Sequence, residues 1–158
     1  MNVWIGAAVL AAVCLTTAFA AVRRFFVVVR VTGTSMLPAF GPQDRVLVRR
    51  GAGTRMRAGA VAVLAEPRDV LSWRLTSPAT PALGEVTWVI KRIAAVPGDA
   101  VPESVRAAAS RADVVPDGML VVLSDNPAGN DSRRWGFIAA SRVLGPVVLR
   151  IPVPPASR

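Results

Sequence analysis

The stretch from Val3 to Val22 carries no charged side chain. At about 1.5 Å of rise per residue it makes a helix about 30 Å long, the thickness of a bilayer's hydrocarbon core. Trp4 at one end and Arg23, Arg24 and Phe25 at the other suit the two membrane interfaces. A buried core helix is the bland alternative, but the run is long and has no polar face. A cleaved signal peptide is the closer rival, because Ala18-Phe19-Ala20 ahead of Ala21 has the small-x-small form of a cleavage site. The start lacks Arg and Lys, however, and the apolar run exceeds an ordinary signal core, which favours a retained anchor over residues 1–24. Arg23 and Arg24 flank its C-terminal side and, by the positive-inside rule, draw the rest of the chain toward the cytoplasm. Cys14, within the stretch, reads as a small packing residue.

Beyond the anchor the pattern changes to short Val- and Ile-rich runs broken by Gly, Pro, Asp and Asn. Strands are expected at Phe26–Val31, Arg45–Arg49, Ala60–Leu64, Thr87–Ala94, Met119–Ser124 and Val143–Ile151. A short helix is expected over Glu103–Ala112. Glu66–Glu85, with three prolines, reads as an irregular insertion or loose hairpin. The expected fold is therefore mainly β: a compact antiparallel core over residues 25–151, preceded by one transmembrane helix and followed by a Pro-rich tail at 152–158. A length of 158 residues suits one such domain, and 53% hydrophobic against 18% charged residues excludes a disordered chain.

Composition narrows the chemistry further. The chain has no His and one Cys, so His-based triads, intrachain disulfides and His or Cys metal clusters are excluded, and no metal or cofactor is expected. Net charge is +9, and eighteen of the nineteen basic residues are Arg; Lys91 is the sole lysine. The arginines are scattered, with no stacking-aromatic pattern, so nucleic acid is not an expected partner, whereas an anionic membrane surface is compatible. A hydrolase without His needs another base, and a neutral lysine amine can take a proton from a serine hydroxyl. Arginine, with a pKa above about 12, cannot. Lys91 ends an apolar strand segment, where burial would push its pKa down. Its other reading is a chance lysine on a solvated edge strand. Ser35, in a turn after Gly33 and before Pro38, sits where a hydroxyl can be presented beside backbone N–H groups.

Three segments taken together carry a resemblance. Gly33-Thr34-Ser35-Met36-Leu37-Pro38, then Ile90-Lys91-Arg92-Ile93-Ala94-Ala95-Val96-Pro97-Gly98-Asp99, then Ser124-Asp125-Asn126 through Asn130-Asp131-Ser132-Arg133-Arg134-Trp135-Gly136 resemble, in order and spacing, the boxes of the type I signal peptidases, the S26 family of serine endopeptidases. The resemblance runs from Val3 to about Gly145. It implies membrane-bound cleavage of exported preproteins, with Ser35 as nucleophile and Lys91 as general base. It implies that the signal peptide binds as an extended strand, with small side chains at the first and third positions before the cut. Gly33, Thr34 and Met36 then fall at the oxyanion and substrate-binding positions, Met36 near the pocket for the small residue. Asp131 and Arg133 match a supporting pair, and Arg92 should face away from Lys91. The resemblance also implies a single-pass plasma-membrane protein whose catalytic domain lies on the extracytoplasmic side, opposite to the pull of Arg23 and Arg24. Its partners would be preprotein signal peptides and membrane lipid, and it would work as a monomer.

The chain departs from the family pattern in places. Gly33 stands where many relatives carry a Ser that helps hold the oxyanion, which leaves the Ser35 N–H as the assured donor. Ala39 replaces a Thr, and Ser124 replaces the Gly that opens the third box. Gly129 falls near a Ser that bonds the lysine in relatives, so the orientation of Lys91 rests on Ser124, Ser132 or water. The interval from Asp99 to Asp125 holds only a hairpin or short helix, which implies a minimal catalytic core. Two other functions fit the same residues: a processing peptidase dedicated to one precursor, and an inactive membrane-anchored binding module on the same fold.

Overall fold

The computed structural model describes residues 2–51, 56–67 and 87–151. The uncharged stretch forms one helix, α1 (Asn2–Phe25), whose residues 6–25 are long and apolar enough to cross a membrane and are not buried by the rest of the described residues. The helix runs directly into strand β1 (Phe26–Arg30). The chain continues through β2 (Arg45–Arg49), β3 (Val61–Ala65), β4 (Trp88–Ala95), the single turn α2 (Glu103–Arg106), β5 (Met119–Leu123), the single turn α3 (Ser132–Trp135), β6 (Ile138–Ala139), a 3-10 turn over Ala140–Arg142, and β7 (Val143–Ile151). The expected strands are present, displaced by at most one residue at either end.

All pairings are antiparallel, and the seven strands run β1-β2-β7-β3-β4-β5-β6 across one sheet. β7 is shared between two halves. Its first residues pair with β3, Val143 with Leu64 and Gly145 with Val63, and its last pair with β2, Val147 with Val48 and Ile151 with Arg45. The crossover needs a bare backbone: a Cβ on Gly145 would meet the Arg49 carbonyl oxygen at 1.8 Å.

Both faces of the central strands are covered. One apolar cluster gathers Ala62, Leu64, Ile93, Leu120, Val122, Trp135 and Ile138; another gathers Val31, Met36, Phe40, Val46, Val48, Val63 and Ile90. Alternation along β4 sends Trp88 and Ile90 to the second cluster, and Val89 and Ile93 to the first. The helix expected over Glu103–Ala112 is regular only to Arg106; turns follow as far as Ser110 and Arg111, whose left-handed backbone (φ 56° and 58°) ends the winding. The proline-containing insertion expected at Glu66–Glu85 lies, beyond Pro67, outside the described residues, as does the tail at 152–158.

Candidate active site

Lys91 lies on the Val89–Ile93 face of β4, opposite Ala62 of β3, and is 3% exposed. That burial removes the solvated-edge reading. Its ammonium donates to Ser124 Oγ at 3.0 Å and lies 5.8 Å from the centroid of the Trp135 ring. Burial lowers the Lys91 pKa; the Asp131 and Glu66 carboxylates pull it back up, the Arg133 guanidinium pushes it down, and the net direction is down.

Ser124 is itself held at the root. Its backbone N–H donates to Asp131 Oδ2 at 2.8 Å, and its hydroxyl lies 3.5 Å from the Asn130 carbonyl oxygen. Asp131 is fully buried, caps α3 by accepting from Arg133 N at 3.0 Å, and accepts from Arg133 Nε at 2.9 Å and Nη2 at 2.5 Å. Burial alone would raise its pKa, but the bonds from Arg133 and from the Ser124 and Arg133 N–H groups outweigh it and hold the carboxylate ionised. Arg133, Asp131, Ser124 and Lys91 thus form one connected line. Ser132 stands apart from it: the buried hydroxyl accepts from Val122 N at 2.9 Å and so completes a strand donor, and the expected choice between Ser124 and Ser132 falls to Ser124. Arg92 points to the other side, as alternation requires, with Nε and Nη2 on the two oxygens of Asp125 at 2.8 and 2.7 Å and Nη1 on the Gly59 carbonyl at 3.0 Å.

Ser35 follows β1 in a turn anchored by the third box. Asn126 N donates to the Ser35 carbonyl at 2.9 Å and Asn126 Nδ2 to the Thr34 carbonyl at 3.2 Å. The turn is closed further by Leu37 N to Thr34 O at 3.2 Å and Phe40 N to Met36 O at 2.8 Å, with a cis peptide at Leu37-Pro38. Among the described residues no acceptor takes the Ser35 N–H. Gly129 brings the two sides together. A Cβ there would lie 2.4 Å from Ser124 Oγ and 3.0 Å from Ser35 Cβ, so the nucleophile candidate and the lysine's hydroxyl partner crowd the same bare backbone. No hydrogen bond joins Ser35 to Lys91 directly; the ammonium is taken up by Ser124.

Beside Ser35 a cavity of about 140 Å³ opens between the end of β1 and the start of β4, with Val29, Val31, Gly33, Trp88 and Ile90 among its walls. Among the described residues β1 pairs with β2 alone, and β5 pairs with β4 from Arg92 onward. Met36 is fully buried behind Val31, Val46, Val63 and Ile90, and so backs the cavity wall without lining it. The exposed Thr34 contributes its carbonyl to Asn126 and does not line the cavity either. The position of Gly33 is open, with nothing within 4 Å of where its Cβ would be. Sequence reasoning gave no separate role to Trp135 or Asn126. Asn126-Pro127 reads as turn punctuation, and only the folded chain shows that the Asn reaches back 92 residues to Thr34.

Comparison with known proteins follows the same line. A family model described as "Signal peptidase, peptidase S26" matches residues 2–103 and 102–152. Among solved structures, the chain is similar to a signal peptidase I from Enterococcus faecalis V583, at 18% identity and a TM-score of 0.41, over 60% of this chain and 97% of that one. No protein of curated function matches the sequence.

Proposed function

The chain belongs to the signal peptidase family, peptidase S26, and on that premise we propose that it is a membrane-anchored serine endopeptidase that removes signal peptides from exported preproteins with a Ser35–Lys91 dyad. The observation that carries the reading is the burial of the chain's sole lysine beside the Ser35 turn, with its pKa driven down. A lysine acts as a base only when neutral, and desolvation is what makes the neutral amine accessible near physiological pH.

The preprotein's C-region enters as an extended strand along the cavity beside Ser35, between the end of β1 and the start of β4. The neutral Lys91 amine takes the Ser35 proton as Oγ attacks the scissile carbonyl carbon. The tetrahedral oxyanion is met by the Ser35 N–H. Lys91 then hands its proton to the leaving amine, which releases the mature protein and leaves the signal peptide esterified to Ser35. A water, deprotonated by the same amine, cleaves the ester and restores the serine. With Gly33 in place of a hydroxyl-bearing residue, the oxyanion lacks a donor of a kind whose loss costs about 3 kcal/mol in other enzymes. A modest rate is the expected consequence. α1 serves as the anchor, the catalytic domain works on the extracytoplasmic side where signal peptides emerge, and signal peptides and surrounding lipid are the partners.

The test is preprotein cleavage in detergent by wild type, Ser35→Ala and Lys91→Arg. Lys91→Arg keeps the charge but cannot supply a neutral base. Cleavage by wild type alone supports the dyad. Equal cleavage by all three removes it, and no cleavage by any folded form points to a binding module or a dedicated substrate.

A further inference from the structure

Ser35 belongs to the loop that joins β1 to β2, residues 31–44. The root of this loop is closed by Val31 N donating to the Asp44 carbonyl and Gln43 N to the Val31 carbonyl, both at 2.8 Å. Asn126 holds its first part, through the Ser35 and Thr34 carbonyls. The second part is held from a different element, by Arg150 near the end of β7. Arg150 stands opposite Val46, so the two side chains rise on the same face of the sheet, where Val46 packs with Met36 and Phe40. There the guanidinium makes three contacts. Nε pairs with Asp44 Oδ2 at 2.8 Å, Nη1 donates to the Ala39 carbonyl at 2.5 Å, and the group lies 5.7 Å from the centroid of the Phe40 ring. We infer that Arg150 is a positioning residue for the nucleophile: it braces the far part of the loop against the sheet and so fixes where the Ser35 hydroxyl stands relative to Lys91. The inference deepens the peptidase reading and rests on Ser35 being the nucleophile.

The path from the brace to the serine is short. Phe40 N donates to the Met36 carbonyl at 2.8 Å, and Met36, next to Ser35, is fully buried. A displaced Ala39 or Phe40 therefore pulls on Met36, and Met36 on Ser35. The Asp44 carboxylate works in the same direction: it is buried, pairs with Arg150, and accepts from Gly41 N at 2.9 Å, which ties the turn after Phe40 to the start of β2. Arg150 does not line the cavity beside Ser35, so its loss removes no wall on which a substrate rests. Its side chain keeps 40% of its exposure, so its loss opens no hole in the core either. What it supplies is geometry. A planar guanidinium can serve a carboxylate, a carbonyl and a ring face at once, whereas a lysine ammonium is a point charge on a flexible stem and cannot hold all three.

The test compares wild type, Arg150→Gln, Arg150→Lys and Arg45→Gln as detergent-solubilised full chains, with a preprotein as substrate. Arg45 is the charge control, exposed on the neighbouring strand opposite Ile151. Arg150→Gln should lower kcat by about 10- to 100-fold with KM little changed, as expected for a misplaced reacting group. The Lys91 titration midpoint should stay at its wild-type value, because the brace acts on the serine alone. It is read from lysine labelled with 13C at Cε, which gives one resonance where the chain has no other lysine. Arg150→Lys should recover part of kcat by keeping the pair with Asp44, and Arg45→Gln should leave kcat unchanged. Amide exchange should quicken at Phe40 and Gly41 in Arg150→Gln, while Ile93, bonded to the Ala60 carbonyl, stays slow. An unchanged kcat in Arg150→Gln overturns the inference. So does a loss carried by KM, a Lys91 midpoint that moves, an equal loss in Arg45→Gln, or a fully active Arg150→Lys. If Arg150→Gln does not fold, Asp44→Asn, which loses the ion pair but keeps an acceptor for Gly41 N, should show the same kcat split, and its absence is equally fatal. Cleavage by Ser35→Ala equal to wild type would instead sink the peptidase reading; the brace is then decided by exchange, and unquickened Phe40 and Gly41 amides refute it.

Discussion

The two halves of the proposed dyad are built in opposite ways. Lys91 is a strand residue, covered on both sides by packed side chains, with its charge surrounded by Ser124, Trp135, Asp131, Glu66 and Arg133. Ser35 belongs to a half-buried turn, held mainly by backbone bonds, and the bonds from Asn126 come from a loop distant in sequence. A base must be kept from water to be neutral, so its site resembles a core. A nucleophile must be reached by a polypeptide, so its site resembles a surface. Burial therefore tunes one partner, and tethering aims the other.

The largest effect that would break this contrast lies on the base. Lys91→Met should lower cleavage by at least about 1,000-fold, as expected for loss of a general base, and should also stabilise the fold. The folded-state pKa of Lys91 is lowered, so between that value and the unfolded value of 10.5 the unfolded chain holds the extra proton and stability rises with pH. Below that window the buried ammonium carries its full penalty. Urea unfolding across pH should show the slope in wild type and a flat, higher curve in the Met variant; a less stable Met variant would show that the ammonium is paired well enough to cost nothing.

Next comes Asp131→Asn, which leaves Arg133 unpaired and weakens the grip on the Ser124 N–H. A loss of about 3 kcal/mol in stability is expected, in line with broken buried pairs, with the acid limb of kcat/KM moved to lower pH because a carboxylate that raises the Lys91 pKa is gone. Unchanged stability would mean that the pair is a surface ornament. On the nucleophile side, Asn126→Ala should cost about 1–2 kcal/mol or less for two bonds lost or loosened and lower kcat/KM by about tenfold, with the Lys91 midpoint unmoved. A moved midpoint would erase the division between tuning and tethering. The smallest effect is expected from Gly33→Ser, whose Cβ meets open space. Melting should shift by no more than a degree or two, the size of a surface substitution, and kcat should rise if the new hydroxyl reaches the oxyanion; a large fall in melting temperature would contradict the open position.

The same contrast governs what was legible in the sequence. β4 could be read from its apolar run, but that run left Lys91 either buried or on a solvated edge, and only the pairing of β4 with β3 and β5 decides for burial. Arg45–Arg49 and Val143–Ile151 were found at their true limits, because alternation and turn residues mark them. The shortest elements escaped. α3 and β6 span four and two residues and carry no period of their own. Ser35 was visible as a motif in a turn, but its fixation by Asn126 was not, since nothing in a turn's composition tells which distant loop will donate to it. The choice of Ser124 over Ser132 needed the fold as well: one lies seven residues before Asp131 and the other directly after it, and only the course of the chain after β5 decides which hydroxyl meets Lys91. Whether Met36 lines the cavity or backs it was likewise beyond the sequence, because only the fold shows its side chain buried behind the wall.

β7 links these observations. The strand that leads to Ser35 reaches the rest of the sheet through β2 and then β7, whereas Lys91 reaches it through β3 and then β7, and the two halves part between Pro146 and Val147, next to Gly145 where no side chain fits. In mechanical terms one shaft carries both jaws of a clamp. A methyl group inserted at its waist would be felt as a change in the gap between serine and lysine, although neither residue touches it.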